Sequence, residues 1–224
     1  MTVRRWRSGL VAVGMLALLP AALAQEKKPE APKSPAKPDE KKGDEKPGMP
    51  EMTPEQMAEM EAWMKAAMPG PEHKNLEYMV GKWNVTGKWW DDKAPDQPPH
   101  DTAGTMTTEW FNDNRFTKYE YKGDMMGMPF TGWGYSGYDN IEKKYISIWM
   151  DSMGTGIHKN SGTYDAATKT FTFTGEMKDP MGKTIQTRET IKVTSNDEHV
   201  MTFYHTRADG KELKMGELTF KRAK

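Results

Sequence analysis

The chain has 224 residues with 32 basic and 32 acidic side chains, no cysteine, 19 methionines and 8 tryptophans. Zero net charge argues against the concentrated basic surface that nucleic-acid phosphates require, so no nucleic-acid partner is expected. The lack of cysteine excludes a disulfide scaffold, a thiolate metal site, a cysteine nucleophile and a bacterial lipoprotein anchor.

Three regions follow one another along the chain. Arg4, Arg5 and Arg7 precede an apolar run, Leu10 to Leu19, and Ala22-Leu23-Ala24 then supplies a small-x-small cleavage pattern before Gln25. Residues 1–24 therefore read as a signal peptide, which makes the protein exported, either periplasmic or secreted. The apolar stretch falls short of the roughly 20 residues that a membrane span needs, so no integral membrane segment is expected after cleavage. Removing three arginines leaves 29 basic against 32 acidic side chains, a net charge of −3.

Residues 25–50 read as a disordered linker. Positions 26–50 hold six prolines, seven lysines and six acidic residues, without an aromatic or branched aliphatic side chain. Such a segment cannot bury enough apolar surface to offset the entropy of ordering it.

An amphipathic helix is expected over residues 51–69. Thr53-Pro54-Glu55-Gln56 combines an N-cap hydroxyl, proline at the first helical position and glutamine at N3. Met57, Met60, Met64 and Met68 recur at helical spacing, so they share one face, and that face is expected to dock on the main domain or lie over its opening. A Cu(I) site is the alternative for these thioethers, together with Met49, Met52 and Met125-Met126-Gly127-Met128. Pro69-Gly70-Pro71 stops the helix.

From Leu76 onward the pattern changes to short β-rich runs separated by turn residues. Ten are expected, over 82–90, 102–111, 115–122, 129–136, 143–151, 156–164, 169–176, 184–193, 199–206 and 211–222. Regular spacing with tight turns argues for an antiparallel meander, and closure is favoured because open edges invite pairing with other chains. The barrel domain is therefore placed over residues 71–224.

Two ends of this region carry a resemblance. Gly81-Lys82-Trp83 opens the first strand and Arg222 closes the last, a combination similar to the calycin superfamily of lipocalins, fatty-acid-binding proteins and nitrobindin-like barrels. That resemblance implies an all-β, antiparallel, ten-stranded up-and-down barrel preceded by the short helix, with the arginine covering the tryptophan. Residues 73–222 also resemble a bacterial exported family known as domain of unknown function 1579. The carriers are Gly81-Lys82-Trp83-Asn84-Val85, Glu109-Trp110, Asn114-Arg115-Phe116, Pro129-Phe130-Thr131-Gly132, Gly137-Tyr138-Asp139-Asn140 and Trp149 through Gly156. It brings no activity, substrate or catalytic residue with it.

Alternation along the strands selects the interior. Phe171 and Phe173 point inward, as do Tyr119 and Tyr121, with Glu189 among Ile185, Thr187, Ile191 and Val193. Met201, Phe203 and His205 share a face. On 143–151 both faces are apolar, so the inward set is open. An aromatic interior with a few polar groups is the make-up of a small-molecule site, and Trp89, Tyr119, Tyr121, Phe171, Phe173, Glu189, Phe203 and His205 are the expected lining for a mainly apolar ligand. A buried Glu189 needs a partner, for which Arg115, His205 and Arg222 are the candidates.

No catalytic constellation emerges. There is no G-x-S-x-G elbow and no phosphate loop before a helix, and Gly154-Thr155-Gly156 belongs to a hairpin connection. His73, His100, His158, His199 and His205 show no metal-ligand spacing, although His158 or His205 would suit a haem iron. The chain reads as a non-enzymatic binding barrel without a resident cofactor or metal. The competing expectations are a closed interaction barrel without ligand and a haem- or Cu(I)-binding protein.

Overall fold

The computed structural model describes residues 52–224, except 92–93, 95–96, 126 and 208. The leader and the linker read from residues 1–50 lie outside the described residues. Ten strands form the domain: β1 (Gly81–Trp89), β2 (His100–Phe111), β3 (Phe116–Met125), β4 (Met128–Asp139), β5 (Lys144–Asp151), β6 (His158–Asp165), β7 (Thr170–Lys178), β8 (Thr184–Ser195), β9 (Glu198–Thr206) and β10 (Glu212–Arg222). Each pairs antiparallel with its chain neighbours, and β1 pairs with β10 to close the barrel. Closure satisfies every edge and removes the template for association. No helix among the described residues is long and apolar enough to cross a membrane.

The expected alternation holds around the barrel. Phe171 and Phe173 are inward and almost wholly buried, and Trp83, Val85, Leu218 and Phe220 face them from the closing strands. On β5 the inward set is Tyr145, Ser147 and Trp149. Ile146 and Ile148 lie outside, beneath a surface groove of about 530 Å³ beside the end of the first helix.

One end of the barrel is sealed. A short helix, α2 (Pro71–Lys74), runs into a 3-10 turn over Asn75–Met79. Leu76 and Met79 enter the barrel and pack on Tyr145, Phe171, Phe173 and Ile191. The Tyr145 hydroxyl donates to Glu72 O at 2.9 Å and accepts from Asn75 Nδ2 at 2.9 Å, which ties the plug to β5. Beside it, Trp83 Nε1 donates to Met79 O at 2.8 Å. The Arg222 guanidinium lies 4.3 Å above the Trp83 ring and donates through Nη1 to Val80 O at 3.0 Å. The contact implied by the calycin resemblance is therefore present.

Helix α1 (Pro54–Ala66) carries the expected capping box: Gln56 N–H donates to Thr53 Oγ1 at 3.2 Å and Thr53 N–H to Gln56 Oε1 at 2.8 Å. Its methionine face does not dock. Met57, Met60, Met64 and Met68 remain 47–63% exposed and the helix buries no residue. The attachment is made instead by carbonyls around the helix end, which lack intrahelical donors. Asn140 Nδ2 donates to Ala66 O and Met68 O at 2.9 and 2.8 Å, and Arg115 Nε donates to Ala67 O at 3.0 Å. Anchoring at one end leaves the stripe facing outward.

Candidate ligand cavity

Beyond the plug the barrel is hollow, enclosing a cavity of about 430 Å³. Large inward aromatics do not fill it because several lie flat along the wall. Trp149 covers Gly132 and Trp89 covers Gly216, at separations that a Cβ on either glycine would block. Tyr119, Trp149, Phe130 and Tyr121 form an arc with successive centroid distances of 6.0, 6.4 and 5.7 Å. Trp149 Nε1 donates to Asp151 Oδ2 at 2.9 Å, which fixes the ring in that arc. Across the barrel, Trp89 and Phe203 pack at 4.9 Å.

Methionines line much of the remaining wall. Met79, Met106, Met125, Met153, Met177, Met201 and Met215 all reach the cavity. Their unbranched thioethers adapt to irregular shapes, so this wall can reshape around an apolar guest. Met153, in the β5–β6 connection, is also 54% exposed, which places the mouth opposite the plug.

A polar belt crosses half the circumference. Ser136, Ser147, Asn160 and Gly175 are successive register partners on β4, β5, β6 and β7. The Tyr119 hydroxyl, from β3, lies 3.0 Å from Ser147 Oγ and 3.4 Å from Ser136 Oγ. At the other end Asn160 Nδ2 donates to Glu189 Oε1 at 3.0 Å. Gly175 makes that bond possible, because a Cβ there would collide with Asn160 Oδ1.

Glu189 is deep in the protein, and burial pushes its carboxyl up to about 7, opposed by the Asn160 hydrogen bond. This amide is the side-chain hydrogen-bond donor that Glu189 has in place of an arginine. Arg115 points outward to the α1 end and Arg222 is committed to the closed end. Burial also raises the Tyr119 phenol, with nearby Glu189 adding to the shift. His199 stands between Trp83 and Phe220, at centroid distances of 4.5 and 4.4 Å. Burial first, then the Arg222 charge, lowers its pKa to about 4.

Seven of the eight residues expected to line the interior meet at this cavity: Trp89, Tyr119, Tyr121, Phe173, Glu189, Phe203 and His205. Phe171 does not. It is fully buried against Leu76 and Tyr145, since the plug takes the space at its end of the barrel. Strand parity did not single out Ser136 on β4, Asn160 on β6 or the methionines other than Met201, and it left Ser147 on β5 open, although all three polar residues lie on the inward register.

Haem fits this interior poorly. His158 and His205 both line it, but among the described lining residues there is no lysine and the one arginine, Arg188, is held by Glu212 at 2.6 and 2.7 Å. The two carboxylates of a haem would find no counter-charge inside.

The fold is thus a closed, ten-stranded antiparallel barrel, sealed at one end and hollow beyond it. The chain belongs to the family described as "Protein of unknown function (DUF1579)", which matches residues 68–222. Among solved structures it is similar to Rv2717c from M. tuberculosis, with 13% identity, a TM-score of 0.53, and coverage of 70% of this chain and 100% of that one. It is also similar to the S-type phycobiliprotein lyase CPES from Guillardia theta, with 13% identity, a TM-score of 0.49, and coverage of 72% and 97%. At that identity the likeness to Rv2717c is one of fold alone. No curated protein matches the chain.

Proposed function

We propose that this protein is an exported barrel that takes a small, mainly apolar molecule into its interior. The carrying observation is the cavity of about 430 Å³, walled by aromatics and methionines around one polar belt. That volume falls within the range of small-molecule sites, and a few placed polar groups in an apolar wall are what orient a ligand. Export is supported by the basic residues Arg4, Arg5 and Arg7, the apolar run after them and the Ala22-Leu23-Ala24 pattern.

The test is a native mass spectrum of the protein from the exported fraction, compared with its denatured mass. A reproducible small-molecule adduct, with a mature chain beginning at Gln25, is the expected result. A bare native mass, even after incubation with a lipid extract, would overturn the ligand reading. Recovery of the chain only from the cytoplasmic fraction, with residues 1–24 retained, would overturn export.

A further inference from the structure

Charge is distributed unevenly in the cavity. Among the described residues two carboxylates line it, Glu189 in depth and Asp151 near the mouth. No lysine lines it. The Arg188 guanidinium is bound through both Nε and Nη2 to Glu212 and stacks 3.9 Å over the Tyr204 ring, so its charge is already neutralised. Of the three lining histidines, His199 is held neutral by burial and by Arg222, and His158 and His205 stand further toward the mouth on β6 and β9. An anionic head group entering this space would meet carboxylates and find no free lysine or arginine among the described lining residues.

The groups on the belt also have a direction. Asn160 spends an amide hydrogen on Glu189, and the Tyr119 hydroxyl lies within hydrogen-bonding distance of Ser147 Oγ and Ile148 O. The carboxyl of Glu189 is an acceptor with two oxygens, of which Asn160 occupies one. The belt therefore offers an acceptor to a guest and lacks a cation of its own. A guest that brings N–H donors and positive charge would supply what a buried carboxylate needs.

Resting on the reading of the barrel as a ligand carrier, we propose that its guest is an amine: a mainly apolar molecule whose protonated nitrogen docks on Glu189. The apolar body lies along the Trp149 arc and the methionine wall, and the ammonium donates to the carboxylate oxygen that Asn160 leaves open. Fatty acids and other carboxylates are rejected by the same residue.

Three ten-carbon probes that differ only in their head test this: decylamine, decanol and decanoate, titrated by calorimetry into the full chain at pH 8, where ordinary imidazoles are neutral. Decylamine is expected to bind roughly 10- to 100-fold more tightly than decanol, the worth of a charge-assisted hydrogen bond, with decanoate the weakest. In Glu189→Gln, shown to be folded by a cooperative thermal transition, the ratio of decylamine to decanol affinity falls toward one. Decanoate binding as tightly as decylamine, or an amine preference that survives in Glu189→Gln, would overturn the amine proposal and leave the ligand carrier standing. Failure of all three probes to bind would overturn the carrier itself.

Discussion

The side chain of Asn160 on β6 reaches over the bare backbone of Gly175 on β7 to donate to Glu189 on β8, at 3.0 Å. A hydrogen bond that spans an intervening strand requires that strand to carry no side chain at the crossing. The missing Cβ of Gly175 is thus as much a part of the polar belt as the amide and the carboxyl. It also lets a buried acid accept a hydrogen bond from a neutral amide.

Gly175→Ala tests that geometry directly. The added methyl collides with Asn160 Oδ1 and approaches Lys159 O at 2.8 Å, so the amide must rotate away from Glu189. Overpacking of this kind costs about 1–3 kcal/mol. Urea unfolding should show a loss in that range, and Asn160→Ala combined with Gly175→Ala should recover part of it because the obstructed amide is gone. An unchanged midpoint for Gly175→Ala would contradict the crossing.

Glu189 and His199 give opposed pH dependences. The folded pKa of Glu189, about 7, exceeds its ordinary 4.5, so the folded chain holds the extra proton between those values and stability falls as pH rises through the window. His199 is the reverse: about 4 when folded against 6.5, so stability falls as pH drops from 6.5 to 4. From pH 4.5 to 6.5 the two slopes cancel. Glu189→Gln should expose the histidine slope and, relative to the wild type, gain about 3 kcal/mol between pH 4 and pH 8. His199→Phe should expose the carboxyl slope, with stability falling from pH 4.5 to 7. Parallel pH profiles for wild type and both variants would refute the pair.

Much of this architecture was legible in the sequence. Strand positions follow from alternation and turn residues, and the Gly81-Lys82-Trp83 start with Arg222 at the end marks the seal. The inward placement of Tyr119, Tyr121, Phe173 and Glu189 follows from period two. The hollow centre was not legible, because parity leaves the inward face of 143–151 open and does not say whether a glycine beside Trp149 lets the ring lie flat. The partner of Glu189 escaped for a related reason. The sequence draws attention to arginines and histidines, while the acid is satisfied by an asparagine two strands away. Phe171 points inward as parity requires but lies outside the cavity, because the plug at Leu76 fills its end of the barrel.

Arg222 should be the most sensitive residue at the sealed end. Besides covering Trp83, it donates through Nη2 to Asn196 O at 2.7 Å and through Nε to Asp197 Oδ1 at 3.1 Å, so it joins the plug to the β8–β9 turn. Arg222→Ala is expected to lose about 2–4 kcal/mol from the cation–π contact and the charged hydrogen bonds. Arg222→Lys keeps the charge but not the planar fork, and should recover less than half of that. Denaturant midpoints of the two variants decide this, and full recovery by lysine would show that charge alone matters.

The exposed face of α1 gives the opposite expectation. Were Met57, Met60 and Met64 packed on the barrel, replacing each with glutamine would cost the transfer of a buried side chain, about 2 kcal/mol apiece. They are exposed, and surface substitutions away from special features stay within about 0.5 kcal/mol. The triple variant Met57→Gln, Met60→Gln, Met64→Gln should therefore unfold near the wild-type midpoint. Asn140→Ala, which removes the donor to Ala66 O and Met68 O, should loosen the helix and speed amide exchange across residues 54–68. A large loss in the triple variant with slow exchange in Asn140→Ala would mean that the methionine face, and not the carbonyl end, holds the helix.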